Sequence, residues 1–173
     1  MKVLLGMVLG VAILAAGAFL YFRLGLAPVA TASAPMPFEQ FLAEGALHAR
    51  ITKEAPAIAP IQADESVLAA GVKTYRESCA VCHGLRGEEE TGIAMGMFPK
   101  PPKLLEGTGV TDDEPGETYW KVANGIRLTG MPGFGASMSD EQIWQVSLMM
   151  EQRDKLPDGL ERMLSEPAAG PKR

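Results

Sequence analysis

The chain has 173 residues, 47% of them hydrophobic, and a formal net charge of −5. That length allows one domain plus attachments, and the acidic balance excludes nucleic acid as a partner, because nucleic acid selects basic surfaces. Only two cysteines are present, Cys79 and Cys82, which leaves a disulfide or a redox or metal pair open until their neighbours are read.

Val3 to Phe22 is an uncharged run of 20 residues, close to the ~20 that a helix needs to cross the hydrocarbon core of a bilayer. Lys2 and Arg23 flank it, and Tyr21 and Phe22 stand where interfacial aromatics sit. Residues 1–23 therefore read as a transmembrane anchor. A cleaved signal peptide is the competing reading: Ala30-Thr31-Ala32 offers a small-residue cleavage site, but the apolar run is long for a signal core. Residues 24–63 read as a linker, Ala-rich and punctuated by Pro28, Pro35, Pro37, Pro56 and Pro60. The partly helical spacing of Phe38, Phe41, Leu42 and Leu47 allows a short helix over Phe38–Arg50. As a flexible coil the linker would span on the order of 35 Å, enough for a tethered domain to change docking partners.

A compact domain is expected over residues 64–157. Asp64 can cap a helix running to about Ser78, with Val67, Leu68, Val72 and Tyr75 as its apolar stripe. Gly71 lies on the same side, and a helical Gly costs ~1 kcal/mol against Ala, so it marks close approach by another element. Gly84 to Gly116 is rich in Gly and Pro and too long for an ordinary connection unless something else organises it. A second helix is predicted over Glu117–Asn124, ending at Gly125. A third starts at the capping box Ser139-Asp140-Glu141-Gln142 and runs to about Arg153, offering Ile143, Trp144, Val146 and Met150 for burial. Pro157 stops it. Residues 158–173 read as a polar tail with one weak turn around Leu160–Leu164. There is no strand pattern, so the fold class is all-α.

The two cysteines stand in Cys79-Ala80-Val81-Cys82-His83. Each thiol can add to one vinyl group of a haem, two intervening residues put both sulfurs along one porphyrin edge, and the following histidine supplies an imidazole to the iron. A zinc site needs about four ligands, and the other histidine, His48, lies in the linker. A thioredoxin-like pair needs a βαβ context, which is missing. The expected cofactor is therefore one covalent haem c, which would also give the Gly84–Gly116 loop an apolar body to wrap. The second axial ligand must come from Met95, Met97, Met131, Met138 or His48. Met131 is preferred, because Thr129-Gly130-Met131-Pro132-Gly133-Phe134-Gly135 suits an irregular strap across a flat face. A thioether there favours ferrous iron. Met149, Met150 and Met163 read as core fillers.

From Asp64 to Leu156 the chain resembles a class I, single-haem cytochrome c of the membrane-anchored bacterial type. The resemblance rests on Gly71 and Tyr75 before Cys79-Ala80-Val81-Cys82-His83-Gly84, on Pro101-Pro102-Lys103-Leu104, on Trp120, Asn124-Gly125-Ile126 and Thr129 to Gly135, and on Trp144. It implies a small helical bundle around one haem, in which the first and last helices cross at Gly71. It also implies that His83 donates its other ring proton to the Pro102 carbonyl, orienting the imidazole and raising its basicity, and that Leu104 packs on the porphyrin. Arg127 reads either as a partner for a haem propionate or as an exposed charge.

The resemblance implies electron transfer with His83/Met131 axial ligation, and a haem domain on the periplasmic face of a bacterial inner membrane, single-pass. The expected partners are redox proteins: a quinol-oxidising donor and a terminal oxidase or reductase as acceptor. No catalytic residue is expected. Glu88-Glu89-Glu90 and Asp112-Asp113-Glu114 are candidates to steer basic partners, or simply a solvated surface. A fixed subunit of a larger oxidoreductase complex is the alternative, and an open-site haem sensor, in which Met131 does not ligate, a third.

Overall fold

The structure, a computed structural model, describes residues 1–107 and 113–166. As expected, its elements are helical, with no strand among the described residues. The chain divides into two units, residues 1–43 and residues 44–173. Of the sequence expectations, Asp112 of the second acidic run and residues 167–173 of the tail lie outside the described residues.

The first unit contains α1, Lys2–Arg23, 22 residues with none buried. At 1.5 Å per residue that is about 33 Å, long enough for a hydrocarbon core of about 30 Å. By length and composition it is a helix that can cross a membrane. Helix α2, Glu39–Glu54, spans the boundary between the units. It starts later and runs farther than the predicted Phe38–Arg50, and its expected apolar positions Phe38, Phe41 and Leu42 are exposed.

In the second unit the last part of α2 does not behave as linker. Ile51 is 1% exposed, Glu54 Oε2 accepts the Trp120 indole N–H at 3.1 Å, and the Pro56 carbonyl lies directly over Gly116, where any β-carbon would collide with it. This strap, residues 44–63, therefore packs on the helix that carries Trp120.

Helix α3, Glu65–Thr74, starts where Asp64 Oδ1 accepts the Val67 N–H at 2.9 Å. The predicted helix ended near Ser78. Instead the helical path continues through a π turn, Tyr75–Cys79, into α4, Ala80–His83, and stops at Gly84 with φ 75°. The buried Tyr75 hydroxyl donates to the Gly84 carbonyl at 2.8 Å, tying the two ends of that wide turn. π turns recur at functional sites because they rotate the residues after them relative to the preceding helix.

The long loop has anchors of its own. Thr91 caps a one-turn helix, α5, Gly92–Met95, and its hydroxyl donates to the Val81 carbonyl at 2.7 Å. Leu85, Ala94 and Leu105 are buried. Helix α6, Pro115–Asn124, starts with proline in its first turn and ends at Gly125, φ 70°. Helix α7, Asp140–Glu151, shows the complete capping box: Gln142 N to Ser139 Oγ at 3.2 Å and Ser139 N to Gln142 Oε1 at 3.0 Å.

The core forms where α3 crosses α7. Leu68, Val72 and Tyr75 pack with Ile143, Val146, Met149 and Met150. On α6, Tyr119 stacks on Trp144 with ring centroids 4.4 Å apart. The last element departs from the expected weak turn: α8, Asp158–Ser165, makes two turns and buries Leu160 and Leu164. Arg86 N donates to the Leu164 carbonyl at 2.9 Å, and the Arg76 guanidinium holds the carbonyls of Met163 and Glu166. Met163, expected in the core, is 39% exposed on the outer side of this helix.

Candidate functional site

One cavity of about 470 Å³ opens between α3–α4, the loop, α6 and the strap before α7. Its wall brings together Cys79, Cys82, His83, Pro102, Leu104 and Met131, which are the residues singled out by the sequence. The remaining wall is mostly apolar, with Val122, Ile126, Phe134, Val146 and Met150.

The helical path through Cys79-Ala80-Val81-Cys82-His83 presents both thiols to this cavity, and neither is in a disulfide. Burial, and then the neighbouring Cys82, push the Cys79 thiol up to about 12. His83 Nδ1 is 2.8 Å from the Pro102 carbonyl, so the contact implied by the resemblance is made. Since a carbonyl only accepts, that ring nitrogen carries the proton and the other is left with its lone pair. Burial lowers the His83 pKa, and the bond to Pro102 opposes the shift. Both the tautomer and the charge state thus favour a neutral, ligating imidazole.

Met131 is carried by a braced strap. Its N–H bonds to Thr129 Oγ1 at 3.1 Å, its carbonyl accepts from Ile126 N at 3.2 Å, and Thr129 Oγ1 donates to the Ile126 carbonyl at 2.7 Å. Gly125 makes this fold-back possible. Its positive φ suits glycine, and a β-carbon there would lie 2.5 Å from Gly133 N.

The other candidate ligands separate by position. Met97 lines the cavity, whereas Met95 is 61% exposed and outside its wall. Met138 packs against the core, and His48 is exposed on α2. Arg127 is exposed and not part of the wall. Cations the sequence reading passed over, Lys100 and Lys121, line it instead. Lys121 pairs with Asp113 at 2.5 Å, and Lys100 with Glu90 at 2.8 Å, which holds the Glu90 carboxyl below its usual range. Each expected acidic run therefore has one member neutralised locally.

The donor set fits a covalent haem: two thiols one helical turn apart, an adjacent imidazole with a free lone pair, a soft thioether on the same wall, and an apolar lining. Residues 66–148 match the family described as cytochrome c oxidase, cbb3-type, subunit III. The match supports a c-type cytochrome domain over these residues. Such a domain binds haem covalently and transfers electrons. No curated protein matches the chain. Among solved structures, a chain titled as the Kuenenia stuttgartiensis reducing HAO-like protein complex Kustc0457/Kustc0458 is 26% identical with a TM-score of 0.48. The likeness covers 57% of this chain and 50% of that one, so this chain spans about half the length of its neighbour.

Proposed function

We propose that this chain is a membrane-tethered, single-haem electron carrier with His83 and Met131 as axial ligands, on the periplasmic face of a bacterial inner membrane. The observation that carries it is the convergence of Cys79, Cys82, His83 and Met131 on one apolar cavity. Cys79 and Cys82 would hold the haem through thioethers. When bound, the haem supplies an iron centre that takes up and releases one electron. The chain's own residues set the conditions for that. Pro102 fixes the proton on His83 Nδ1 and so aims the other nitrogen. Thr129 and Ile126 hold the backbone of Met131. Leu104, Phe134 and Val146 exclude water from the wall. With His83 and Met131 both as donors, a bound iron would have no position left for a substrate, which favours electron transfer over an open-site sensor.

An optical and redox titration of the full chain in detergent tests this reading. A reversible one-electron couple and a ferric absorption band from a sulfur–iron bond are expected. A five-coordinate spectrum that binds carbon monoxide rapidly would sink the His/Met reading. The single Cys79-Ala80-Val81-Cys82-His83 motif supports one haem per chain, and α1 supports the tether. The family description, an oxidase subunit, favours a second reading in which the domain serves as a fixed subunit of a larger complex. Stoichiometric co-purification of redox proteins in mild detergent distinguishes a subunit from a free carrier exchanging electrons with a quinol-oxidising donor and a terminal acceptor.

A further inference from the structure

Met97 lies in the turn after α5, where its N–H bonds to the Ala94 carbonyl at 3.2 Å. Its side chain is half-buried and reaches the same cavity wall as Met131. Met131, Met138 and Met150 pack with the hydrophobic core, but Met97 is not among the core residues. It lies instead along the backbone of Gly130, the residue before Met131. A β-carbon on Gly130 would collide with the Met97 methyl and stand 3.4 Å from its sulfur. A gap-filling methionine is enclosed by apolar side chains. This one is laid against the strap that carries the first thioether, its methyl beside Gly130.

We propose that Met97 is a reserve axial ligand, a second thioether at the same wall that binds the haem iron when Met131 is withdrawn. The proposal rests on the reading of Met131 as the resident ligand. In the exchange one sulfur–iron bond breaks and another forms. Both donors are neutral, so the exchange moves no proton and no electron. Its consequence is that local opening of the Thr129–Gly135 strap does not expose the iron to small exogenous ligands.

The test uses the haem-loaded full chain in detergent and the variants Met131→Ala, Met131→Leu, Met97→Leu and the Met97→Leu/Met131→Ala pair. The readouts are the ferric sulfur–iron band and the rate of carbon monoxide uptake by the reduced protein. Met131→Leu retains side-chain volume, so lost packing alone does not decide the result. The expected outcome is a band that persists in both Met131 variants, is unchanged in Met97→Leu and is lost in the pair, with carbon monoxide uptake fast only in the pair. A band lost in both Met131 variants overturns the role of Met97 and leaves Met131 as ligand. A band lost in Met97→Leu alone, or absent from the parent, overturns the reading of Met131 and the proposal with it. A band surviving in the pair overturns the proposal in favour of a third donor.

Discussion

A β-carbon on Gly71 would stand 2.6 Å from the β-carbon of Met149 and collide with the Gln145 carbonyl, so α3 and α7 meet almost backbone to backbone. Gly71→Ala gains ~1 kcal/mol of helix propensity but forces the crossing apart, and overpacking of this kind costs about 1–3 kcal/mol. The expected result is a net loss of stability and a lower thermal midpoint by circular dichroism. Met149→Ala should not rescue it, because alanine keeps the β-carbon and the Gln145 carbonyl stays in place. A raised midpoint, or rescue, would show that the helices do not cross here.

Ile51→Ala separates a linker from a packed strap. A solvated linker position tolerates such a change within about 0.5 kcal/mol. Removing a fully buried isoleucine costs about 2–5 kcal/mol, and Ile51 is 1% exposed. Urea unfolding should therefore place this variant well below the parent, and an unchanged midpoint would contradict the strap.

These two positions show where sequence reading succeeds and where it stops. The Asp64 cap, the Ser139/Gln142 capping box, the Gly125 stop and the Cys79-to-His83 motif are local patterns whose partners lie within a few residues, so they can be read directly. Gly71 was legible because a helix tolerates such a residue only for a reason. Ile51 was not, because its helix carries several other apolar residues, among them the exposed Phe41 and Leu42, and nothing local tells which of them is buried. The same holds for Met97, which no local pattern distinguishes from Met95. Among the charges, Lys121 was passed over in favour of Arg127, since only the fold places α6 beside the cavity.

Leu164→Ala tests the last helix. The sequence offers only an i, i+4 pair, Leu160 and Leu164, in a segment too short to be stable as an isolated helix. Leu164 is fully buried, so a loss of about 2–5 kcal/mol is expected. Faster proteolysis of residues 158–166 should accompany it, detected by mass spectrometry of the fragments. Unchanged stability would mean that α8 is not part of the folded unit.

A pH dependence follows from Asp64. The Ser66 hydroxyl and the Val67 N–H hold its carboxyl below the ordinary aspartate value, which is about 3.9. The folded state thus binds fewer protons than the unfolded one in that range. The stabilisation is fully present above the ordinary value and is lost as the pH falls through the lowered one. Asp64→Asn removes this contribution while keeping a capping oxygen. Unfolding midpoints of the parent and the variant, measured from pH 6 downward, should therefore converge on acidification. A gap that widens would reverse the assigned direction.

The position of α7 has a consequence for the order of events in assembly. The cysteines stand on the first side of the α3–α7 crossing, while Val146 and Met150, which line the same cavity from α7, are made later. Chains emerge N-terminus first, so Cys79 and Cys82 are accessible while α7 and α8 are still lacking. Once the fold closes, burial, and then Cys82, raise the Cys79 thiol, which disfavours its reactive thiolate. The α7 side of the wall around the cysteines is thus the part that arrives after them, so an incomplete chain offers Cys79 and Cys82 to attachment chemistry from a side that the finished fold covers.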